Sequence, residues 1–269
     1  MTDDTQTDEF EEEVSRDEVA NAPGEAADPQ WLVDAKIPAD LREKFEVYSY
    51  RSAATILAES HPEEFAELCQ ALRDFTITPT IIRTAGGNES EVPKVFSASL
   101  RPRGWDETII RGDLLVELIS RVQVGVDKKG KPRTEPRKRI IRREKYLDGH
   151  KVDYVKGRVA FDLEWNSKDQ TFDRDLYAFS AFAQTGVIDV GVLVTRGGQE
   201  MTDYIRSLGQ ALTRQGEPEF TKSGTPRMVA AKYGASTTWM GKLLYRLNAG
   251  RNGACPVLVF GITPRCVSE

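Results

Sequence analysis

Residues 151–196 read KVDYVKGRVAFDLEWNSKDQTFDRDLYAFSAFAQTGVIDVGVLVTR, and this stretch decides the fold. It begins with a pattern typical of a β-hairpin, continues with an amphipathic segment to Gln184, and closes with an apolar run from Val187 to Arg196. Such a short apolar run is typical of a strand buried on both faces. The stretch therefore predicts an α/β fold in which a hairpin, a helix and a central strand follow one another.

Three acidic residues converge on the predicted hairpin. Apolar and polar residues alternate over 158–165, so Asp162 and Glu164 lie on one face of a strand. A tight turn at residues 156–157 folds the preceding residues back and brings Asp153 beside that pair. Like charges this close are costly unless a cation compensates them, and a few oxygen ligands suit Mg²⁺. The pattern predicts a magnesium site, and the alternative is a solvated strand face.

These residues resemble the BglII/BstYI group of type II restriction endonucleases, within the PD-(D/E)xK nuclease superfamily. The resemblance rests on Asp153, eight intervening residues and Asp162-Leu163-Glu164, followed by Trp165-Asn166-Ser167-Lys168-Asp169. It extends to KYGASTTWMGKL at residues 232–243 and GACPVLVFGI at residues 253–262. Matching segments span about residues 150–265, and the N-terminal third is less similar.

The chain departs from the family pattern at two positions. The group has Asp-x8-Glu-x-Gln, whereas this chain has Asp162 at the second position and Glu164 at the third. Aspartate keeps the charge but shortens the reach of the side chain. In the wider superfamily the third position is a lysine, and a glutamate there also occurs in the BamHI-type site. Two roles therefore remain open for Glu164, which either activates the water or shares the metal.

The resemblance implies a restriction-endonuclease-like core, a mixed β-sheet flanked by helices, with Mg²⁺-dependent cleavage of DNA. Asp153, Asp162 and the carbonyl of Leu163 are expected to ligate Mg²⁺, with Glu164 as the third catalytic side chain. The enzyme is expected to act as a homodimer on double-stranded DNA. The implied target is a palindrome containing GATC, AGATCT or RGATCY, cut to leave 5′ overhangs, and a cognate DNA methyltransferase is expected in the same system.

A basic segment is expected to contact the DNA backbone. Residues 128–145 contain ten lysine and arginine residues against two acidic ones. Such a density can neutralise several phosphates, and Arg137, Lys138 and Arg139 are the central contacts expected here. Two prolines in its first half indicate an extended arm and not a helix. The alternative is a solvated loop whose charges serve solubility.

Sequence reading is expected from other residues. Lys168, just after the acidic strand, is placed to donate to guanine in the major groove. The resemblance implies that a serine after the central strand is a second base reader, which is Ser207 here, beside Arg206. The alternative for Lys168 is an ion pair with Asp169 or Asp173, and the alternative for Ser207 is an ordinary helix position.

Three further DNA contacts are expected from short side chains near the C-terminus. They are Ser236, Thr237 and Thr238. Their hydroxyl groups suit phosphates or base edges. The alternative is that they cap a helix that begins near Trp239.

The chain is acidic overall, but its charge is unevenly distributed. The net charge is −5, and residues 1–30 contain eleven acidic residues against Arg16 alone. Residues 31–269 therefore carry a net charge of +5. The acidic, aromatic-poor start predicts a disordered tail. Such a tail either solvates the protein or mimics nucleic acid and covers a basic cleft.

The remaining residues are expected to form one domain, residues 31–269. Its predicted parts are a helical scaffold at 31–125, a basic arm at 126–150, and a catalytic and DNA-recognition part at 151–269. Within the scaffold, the apolar spacing predicts two short helices between Glu43 and Phe75 that break near His61-Pro62, a strand from Ile77 to Ile82, and an amphipathic helix from Asp113 to Val122.

Cysteine and histidine usage narrows the function classes. Cys69, Cys255 and Cys266 form neither a disulfide framework nor a zinc pattern, and an odd count without a leader predicts a reducing cytoplasm. No apolar run reaches the ~18 residues of a membrane span, so no membrane partner is expected. His61 and His150 lack the neighbours of a Ser/His/Asp or Cys/His arrangement, which argues against nucleophilic catalysis.

Two other functions share parts of these features. One is a structure-specific DNA repair nuclease, which would use the same carboxylates without sequence preference on linear duplex. The other is a DNA-binding protein that no longer cuts, because the shortened side chain of Asp162 is also what a decayed site would show.

Overall fold

The computed structural model describes residues 18–84, 91–234 and 236–268. It divides into two compact units, one of Met1–Thr108 with Val152–Glu269 and one of Ile109–Lys151. The larger unit carries all the described helices, and the smaller unit is a long β-hairpin. None of the described helices has the length and apolar character needed to cross a membrane.

A six-stranded mixed sheet organises the fold. Its strands are β1 (Phe45–Tyr50), β2 (Asp106–Val126), β3 (Pro132–Lys156), β4 (Val159–Glu164), β5 (Val190–Arg196) and β6 (Val257–Ile262), in the order β1-β6-β5-β4-β3-β2. Strands β4, β5 and β6 are parallel, whereas β1 is antiparallel to β6 and β3 is antiparallel to β4. Every residue of the three parallel strands is buried. This confirms the predicted mixed sheet and its buried central strand.

Helices flank this sheet. In the described residues they are α1 (Gln30–Lys36), α2 (Ala39–Lys44), α3 (Ala53–Ser60), α4 (Pro62–Asp74), α5 (Pro79–Arg83), α6 (Glu91–Leu100), α7 (Thr171–Gln184), α8 (Gln199–Ser207) and α9 (Met240–Asn248), with 3₁₀ turns at Arg101–Arg103, Val229–Lys232 and Pro264–Cys266. Helix α3 packs against β5 and β6, and α7 packs against β4 and β5. The helix predicted to end at Gln184 is confirmed as α7.

A row of aromatic rings joins the N-terminal helices to the sheet. Phe45 packs against Phe75 with ring centroids 6.3 Å apart, and Phe75 stacks on Phe96 at 4.6 Å. Phe96 in turn lies 5.3 Å from Phe161 of β4. All four side chains are almost fully buried. The N-terminal helices and the acidic strand therefore share one core, which fixes the strand's orientation.

The alternation predicted for β4 is confirmed. Phe161 and Leu163 belong to the main hydrophobic core, whereas Asp162 and Glu164 lie on the opposite face of the strand. The turn before β4 contains Gly157, whose φ of +54° is a left-handed conformation that glycine adopts without strain. The hairpin register that results sets the position of every acidic residue on it.

The smaller unit is a β-hairpin formed by most of β2 and β3. Its turn is closed by Asp127, whose Oδ1 accepts the backbone amides of Lys129 and Lys131 at 2.8 and 2.9 Å. Farther along, Asp113 Oδ1 accepts the amide of Lys145 at 2.8 Å. The predicted basic arm is therefore a two-stranded arm. It extends beyond the predicted residues 126–150, because most of β2 belongs to it as well.

Two predicted elements of the scaffold are wrong. The strand predicted from Ile77 to Ile82 is replaced by helix α5, because Pro79 suits the first turn and Thr78 Oγ1 accepts the Ile81 amide as a cap at 3.2 Å. The helix predicted from Asp113 to Val122 is part of strand β2. The spacing of its apolar residues fits both a helix and an alternating strand. Pairing with β3 in the hairpin selects the strand.

The helical prediction between Glu43 and Phe75 is confirmed in part. Helices α3 and α4 meet at His61, where the break was expected. Residues 45–50, however, form strand β1 at the edge of the sheet. Its alternate side chains Phe45 and Val47 are buried, which favours a strand over the start of a helix.

Residues 18–30 do not belong to a free tail. The amide of Gly24 donates to Asn248 Oδ1 at 2.7 Å, and Asp28 accepts the backbone amide that precedes α3 at 2.8 Å. These short polar side chains anchor the chain although its composition predicted disorder. Residues 1–17, the other part of the predicted tail, lie outside the described residues.

A glycine substitution tests the packing of α7 on β5. A Cβ atom at Gly191 would lie 2.3 Å from Phe179 Cδ2, so Gly191→Ala should lower the free energy of unfolding by about 1–3 kcal/mol. Urea denaturation measures this change. Gly234→Ala is the control, because a Cβ there meets no atom within 4 Å. Equal stability of the two variants would contradict the packing described here.

Candidate active site

The three predicted carboxylates meet on the β3–β4 hairpin. The backbone amide of Asp153 donates to Asp162 Oδ1 at 2.7 Å, and the amide of Leu163 donates to Asp153 Oδ2 at 3.3 Å. Glu164 lies two residues beyond Asp162 on the same strand face. Backbone donors therefore lock Asp153 and Asp162 beside each other.

A fourth carboxylate, Asp175 of α7, joins this cluster, and sequence reasoning missed it. It is 1% exposed, and carboxylate oxygens of Asp162 and Asp175 lie within 4.8 Å of each other. The available signal was its position on the apolar face of the helix, three residues after Phe172 and four before Phe179. An acidic residue on such a face is unusual unless it has a partner or a function.

Burial gives these carboxyl groups unusual protonation. Burial, followed by the charges of Asp175 and Asp153, raises the pKa of Asp162 well above its ordinary range. Burial and then the charge of Asp175 raise the pKa of Glu164 to about 8. Ionisation of these carboxyl groups is therefore unfavourable unless a cation binds beside them.

The donor set fits a hard divalent cation. Asp162 Oδ2 and Glu164 Oε2 are buried, and neither accepts a hydrogen bond from the part of the chain that the structure describes. A buried oxygen without a donor is costly, and a bound cation removes that cost. Carboxylate oxygens in small number are the protein ligands that Mg²⁺ prefers. We refer to Asp153, Asp162, Glu164 and Asp175 as the acidic cluster.

Arg174 brings a positive charge to the edge of the acidic cluster. Its Nη2 lies 3.2 Å from Asp175 Oδ1 and 3.8 Å from Glu164 Oε1. The arginine side chain is 59% exposed, so its guanidinium faces solvent beside the buried carboxylates. A phosphate that approaches the acidic cluster therefore finds a suitable donor there. Sequence reasoning missed this residue as well.

Lys168 lies between β4 and α7, where it pairs with Thr237 in an antiparallel bridge. Its side chain is exposed, and within the described ranges it forms no ion pair. Its expected alternative partners are engaged elsewhere, because Asp169 pairs with Lys242 at 3.1 Å and Asp173 pairs with a buried arginine at 3.0 Å. The Lys168 ammonium is thus available to a ligand.

Two buried cations on α9 hold this segment in place. Lys242 and Arg246 are 1% and 2% exposed, and both approach Asp169, at 3.1 and 3.8 Å. Arg246 also binds Asp173 at 3.0 Å. Separating such a buried pair would leave an uncompensated charge, which is energetically costly. The pairs therefore hold this segment rigidly.

The three short donors near the C-terminus differ in exposure. Thr238 is fully buried, and its Oγ1 accepts the Ser167 amide at 3.1 Å, so the DNA contact expected from Thr238 is not available. Thr237 is partly exposed, and Ser236 is exposed. Helix α9 has Trp239 at its N-cap without a side-chain cap, so the capping alternative is not formed either. Thr238 instead supports the segment that carries Lys168.

The other expected readers are accessible. Ser207 ends α8, is exposed, and donates its hydroxyl to the Tyr204 carbonyl at 2.7 Å. Arg206 is exposed and lies 3.5 Å from Asp203. Neither contact uses all the hydrogen-bonding capacity of these side chains.

The expected backbone contacts belong to the smaller unit. Arg137, Lys138 and Arg139 follow one another on β3, and all three are exposed. Because side chains alternate along a strand, Arg137 and Arg139 share one face of the hairpin. Lys138 faces the other side and binds Glu117 at 2.5 Å.

The raised pKa of Glu164 predicts how stability depends on pH in the metal-free protein. Its pKa of about 8 in the folded protein exceeds the value in the unfolded chain. The contribution of Glu164 to the free energy of unfolding is therefore present at acid pH and is lost as pH rises toward 8. Glu164→Gln cannot ionise, and at pH 9 it should exceed the wild type in free energy of unfolding by roughly 2 kcal/mol.

Urea denaturation in EDTA at pH 6 and pH 9 makes this comparison. Glu43→Gln, at an exposed position, is the matched control and should leave the pH dependence unchanged. A wild type as stable at pH 9 as Glu164→Gln would show that the carboxylate is not held in the environment described.

Comparison with known proteins agrees with this geometry. A family model described as restriction endonuclease BglII/BglIII matches residues 45–262, and no curated protein matches the chain. The matched range runs from β1 to the end of β6, so it contains the acidic cluster and the Lys168 segment. Since the match covers well over half of the chain, this protein belongs to the BglII/BglIII family of restriction endonucleases.

Proposed function

We propose that this restriction endonuclease is a Mg²⁺-dependent type II enzyme that cuts double-stranded DNA as a homodimer. The observation that carries the proposal is the acidic cluster, in which buried oxygens of Asp162 and Glu164 have no donor from the described chain. Such a cluster favours a cutting enzyme over a binding protein with a decayed site. Simple loss of function would not maintain buried carboxylates that cost stability.

In the proposed site Asp153, Asp162 and the Leu163 carbonyl hold the metal. Mg²⁺ held by these residues would supply Lewis-acid chemistry, lowering the pKa of a water and stabilising charge on the scissile phosphate. The Asp153 amide donates to Asp162 Oδ1 at 2.7 Å, which leaves the buried Oδ2 for the metal. Asp175 adds negative charge from α7 and completes the cluster.

Glu164 and Arg174 have complementary roles in this proposal. Glu164 orients the attacking water and accepts its proton once a bound cation has favoured the ionised form of its carboxyl group. Arg174 donates to a non-bridging oxygen of the phosphate from the exposed edge of the cluster. Arg174 would thus supply the positive charge that a lysine provides at the third position of the superfamily signature.

Recognition is proposed to use exposed side chains after β4 and at the end of α8. Lys168 donates to guanine, Ser207 reads a second base, and Arg206, Ser236 and Thr237 contact phosphates or base edges. The proposed target is a palindrome with GATC at its centre, AGATCT or RGATCY, cut to give 5′ overhangs. A two-fold dimer places one active site on each strand. A methyltransferase of the same specificity would protect the host DNA.

Removing one ligand charge should separate binding from cutting. Asp162→Asn keeps the shape of the side chain, so cleavage should fall at least about 100-fold while binding of the target duplex in Ca²⁺ persists. Single-turnover cleavage and gel-shift assays measure the two quantities. Asp74→Asn, at an exposed position outside the cluster, is the control. Near wild-type cleavage by Asp162→Asn would exclude the proposed site.

Lys168→Ala tests the reading of sequence. If its ammonium donates to a guanine, binding of the target duplex in Ca²⁺ should weaken by roughly 1–3 kcal/mol, with much less loss on a scrambled duplex. Lys222→Ala, at an exposed loop position, should change neither. Both duplexes are compared at one fixed salt concentration, because phosphate contacts depend on salt. Equal losses on both duplexes would make Lys168 a backbone contact.

Charge reversal in the arm tests backbone contact. Changing Arg137, Lys138 and Arg139 to glutamate should weaken binding to every duplex and reduce the salt slope by about 0.9 for each phosphate that the arm no longer neutralises. Binding is measured at several salt concentrations. Glu117→Gln removes an acidic residue from the same hairpin and should not weaken binding. An unchanged slope after the reversal would contradict the proposed role of the arm.

A further inference from the structure

A second candidate site lies within the larger unit, and no residue of the acidic cluster lines it. It is a cavity of about 330 Å³, at the lower end of the size of ligand pockets. Residues of α8, of the 229–239 segment and of α9 line it, together with Arg196 at the end of β5. The lining contains Arg196, Arg206 and Lys242, and among its described residues none is acidic.

Arg196 is the buried cation of this cavity. It is 2% exposed, and its Nη2 donates to Thr237 Oγ1 at 2.8 Å and to the Thr238 carbonyl at 3.1 Å. Its guanidinium also lies 5.1 Å from the ring centroid of Tyr233. These partners are neutral, and in the part of the chain that the structure describes no carboxylate pairs with Arg196 and no acceptor meets its Nη1.

A buried guanidinium without an anion is energetically unfavourable. Burial lowers the pKa of Arg196 to about 10, which still leaves it charged at neutral pH. The nearby Lys242 does not relieve this cost, because it is itself a cation and already pairs with Asp169 at 3.1 Å. Among the described residues, the lining of the cavity therefore offers no carboxylate that balances the charge of Arg196.

We propose that this cavity binds a phosphate group, with Arg196 as its principal donor. Nε and Nη2 of Arg196 already donate to Thr237 and Thr238, whereas the two N–H groups of Nη1 have no acceptor in the described chain and can donate to phosphate oxygens. Thr202 and Gln199 of α8 also line the cavity and provide neutral hydrogen-bonding groups. Resting on the proposed function, we assign the phosphate to the backbone of the bound DNA.

The position of the cavity supports this assignment. Thr237, which Arg196 binds, pairs across a bridge with Lys168, and Arg206, which lines the cavity, precedes Ser207. A phosphate bound here would hold DNA next to both proposed base readers. Through Thr237, Arg196 would then connect a contact to the DNA backbone with the segment that carries Lys168.

Calorimetric titration of the metal-free protein with inorganic phosphate, at fixed ionic strength, tests the site. The wild type should show saturable binding, and Arg196→Met should weaken it at least about tenfold, since a hydrogen bond to a charged group is removed. Arg214→Met, at an exposed loop position, is the control and should bind as the wild type does. No saturable binding by the wild type, or equal affinity in Arg196→Met, would overturn the proposal.

A second variant keeps the test decisive if Arg196→Met fails to fold. Thr202→Glu leaves Arg196 in place and puts a carboxylate on the cavity wall. It should abolish phosphate binding and raise the melting temperature of the metal-free protein, because the buried cation gains a partner. Gln184→Glu makes the same charge change at an exposed position and should do neither. Undiminished phosphate binding by Thr202→Glu would overturn the proposal.

Competition identifies the source of the phosphate. If the group belongs to DNA, inorganic phosphate should displace a duplex containing AGATCT in Ca²⁺ from the wild type more effectively than from Thr202→Glu. Independent binding of phosphate and duplex would overturn the assignment to DNA. A protein that binds phosphate in this cavity but never cuts DNA would refute only the proposed function.

Discussion

The β3–β4 hairpin forces like charges into a buried space, and the rest of the site depends on this constraint. Strand β4 is covered on both faces, so Asp162 and Glu164 cannot turn to solvent. The amide of Asp153 holds one oxygen of Asp162, and α7 adds Asp175 from the other side. The resulting repulsion favours protonated carboxyl groups until a cation binds. Binding of the proposed cation would therefore be linked to proton release and to the free energy of unfolding.

The chain that leaves this strand is held almost as firmly. Within five residues of Glu164, the Ser167 amide donates to Thr238 and the Asp169 carboxylate meets the buried cations of α9. Lys168 lies between these two anchors and remains exposed. The proposed base reader and the proposed catalytic carboxylates thus belong to one continuous, fixed segment.

Local periodicity predicted the part of the site that a single hairpin supplies. Alternation over β4 and one glycine turn were sufficient to bring Asp153 to Asp162, because strand register leaves no freedom there. Asp175 and Arg174 could not be found in this way, since they come from a helix whose packing angle the sequence does not encode locally. The apolar run placed Arg196 at the end of a buried strand, but nothing in the local pattern indicated a cavity beside it.

Errors in the part of the chain before the acidic hairpin have a related origin. Pro79 and a capping threonine made a helix where β-branched residues indicated a strand. The predicted helix from Asp113 to Val122 became a strand because it pairs with β3 in a hairpin, which the helical spacing of its apolar residues did not show. Where the spacing of apolar residues fits both a helix and a strand, tertiary pairing decides which of the two forms.

Digestion of a mapped plasmid by the purified protein, with Mg²⁺ and with EDTA, tests the central claim most directly. We expect discrete fragments in Mg²⁺ whose ends map to a GATC-containing palindrome, and intact DNA in EDTA. A smear of random lengths would indicate a nuclease without sequence reading. Discrete cleavage in EDTA, or intact DNA under both conditions, would contradict the assignment of the acidic cluster as a metal-dependent cutting site.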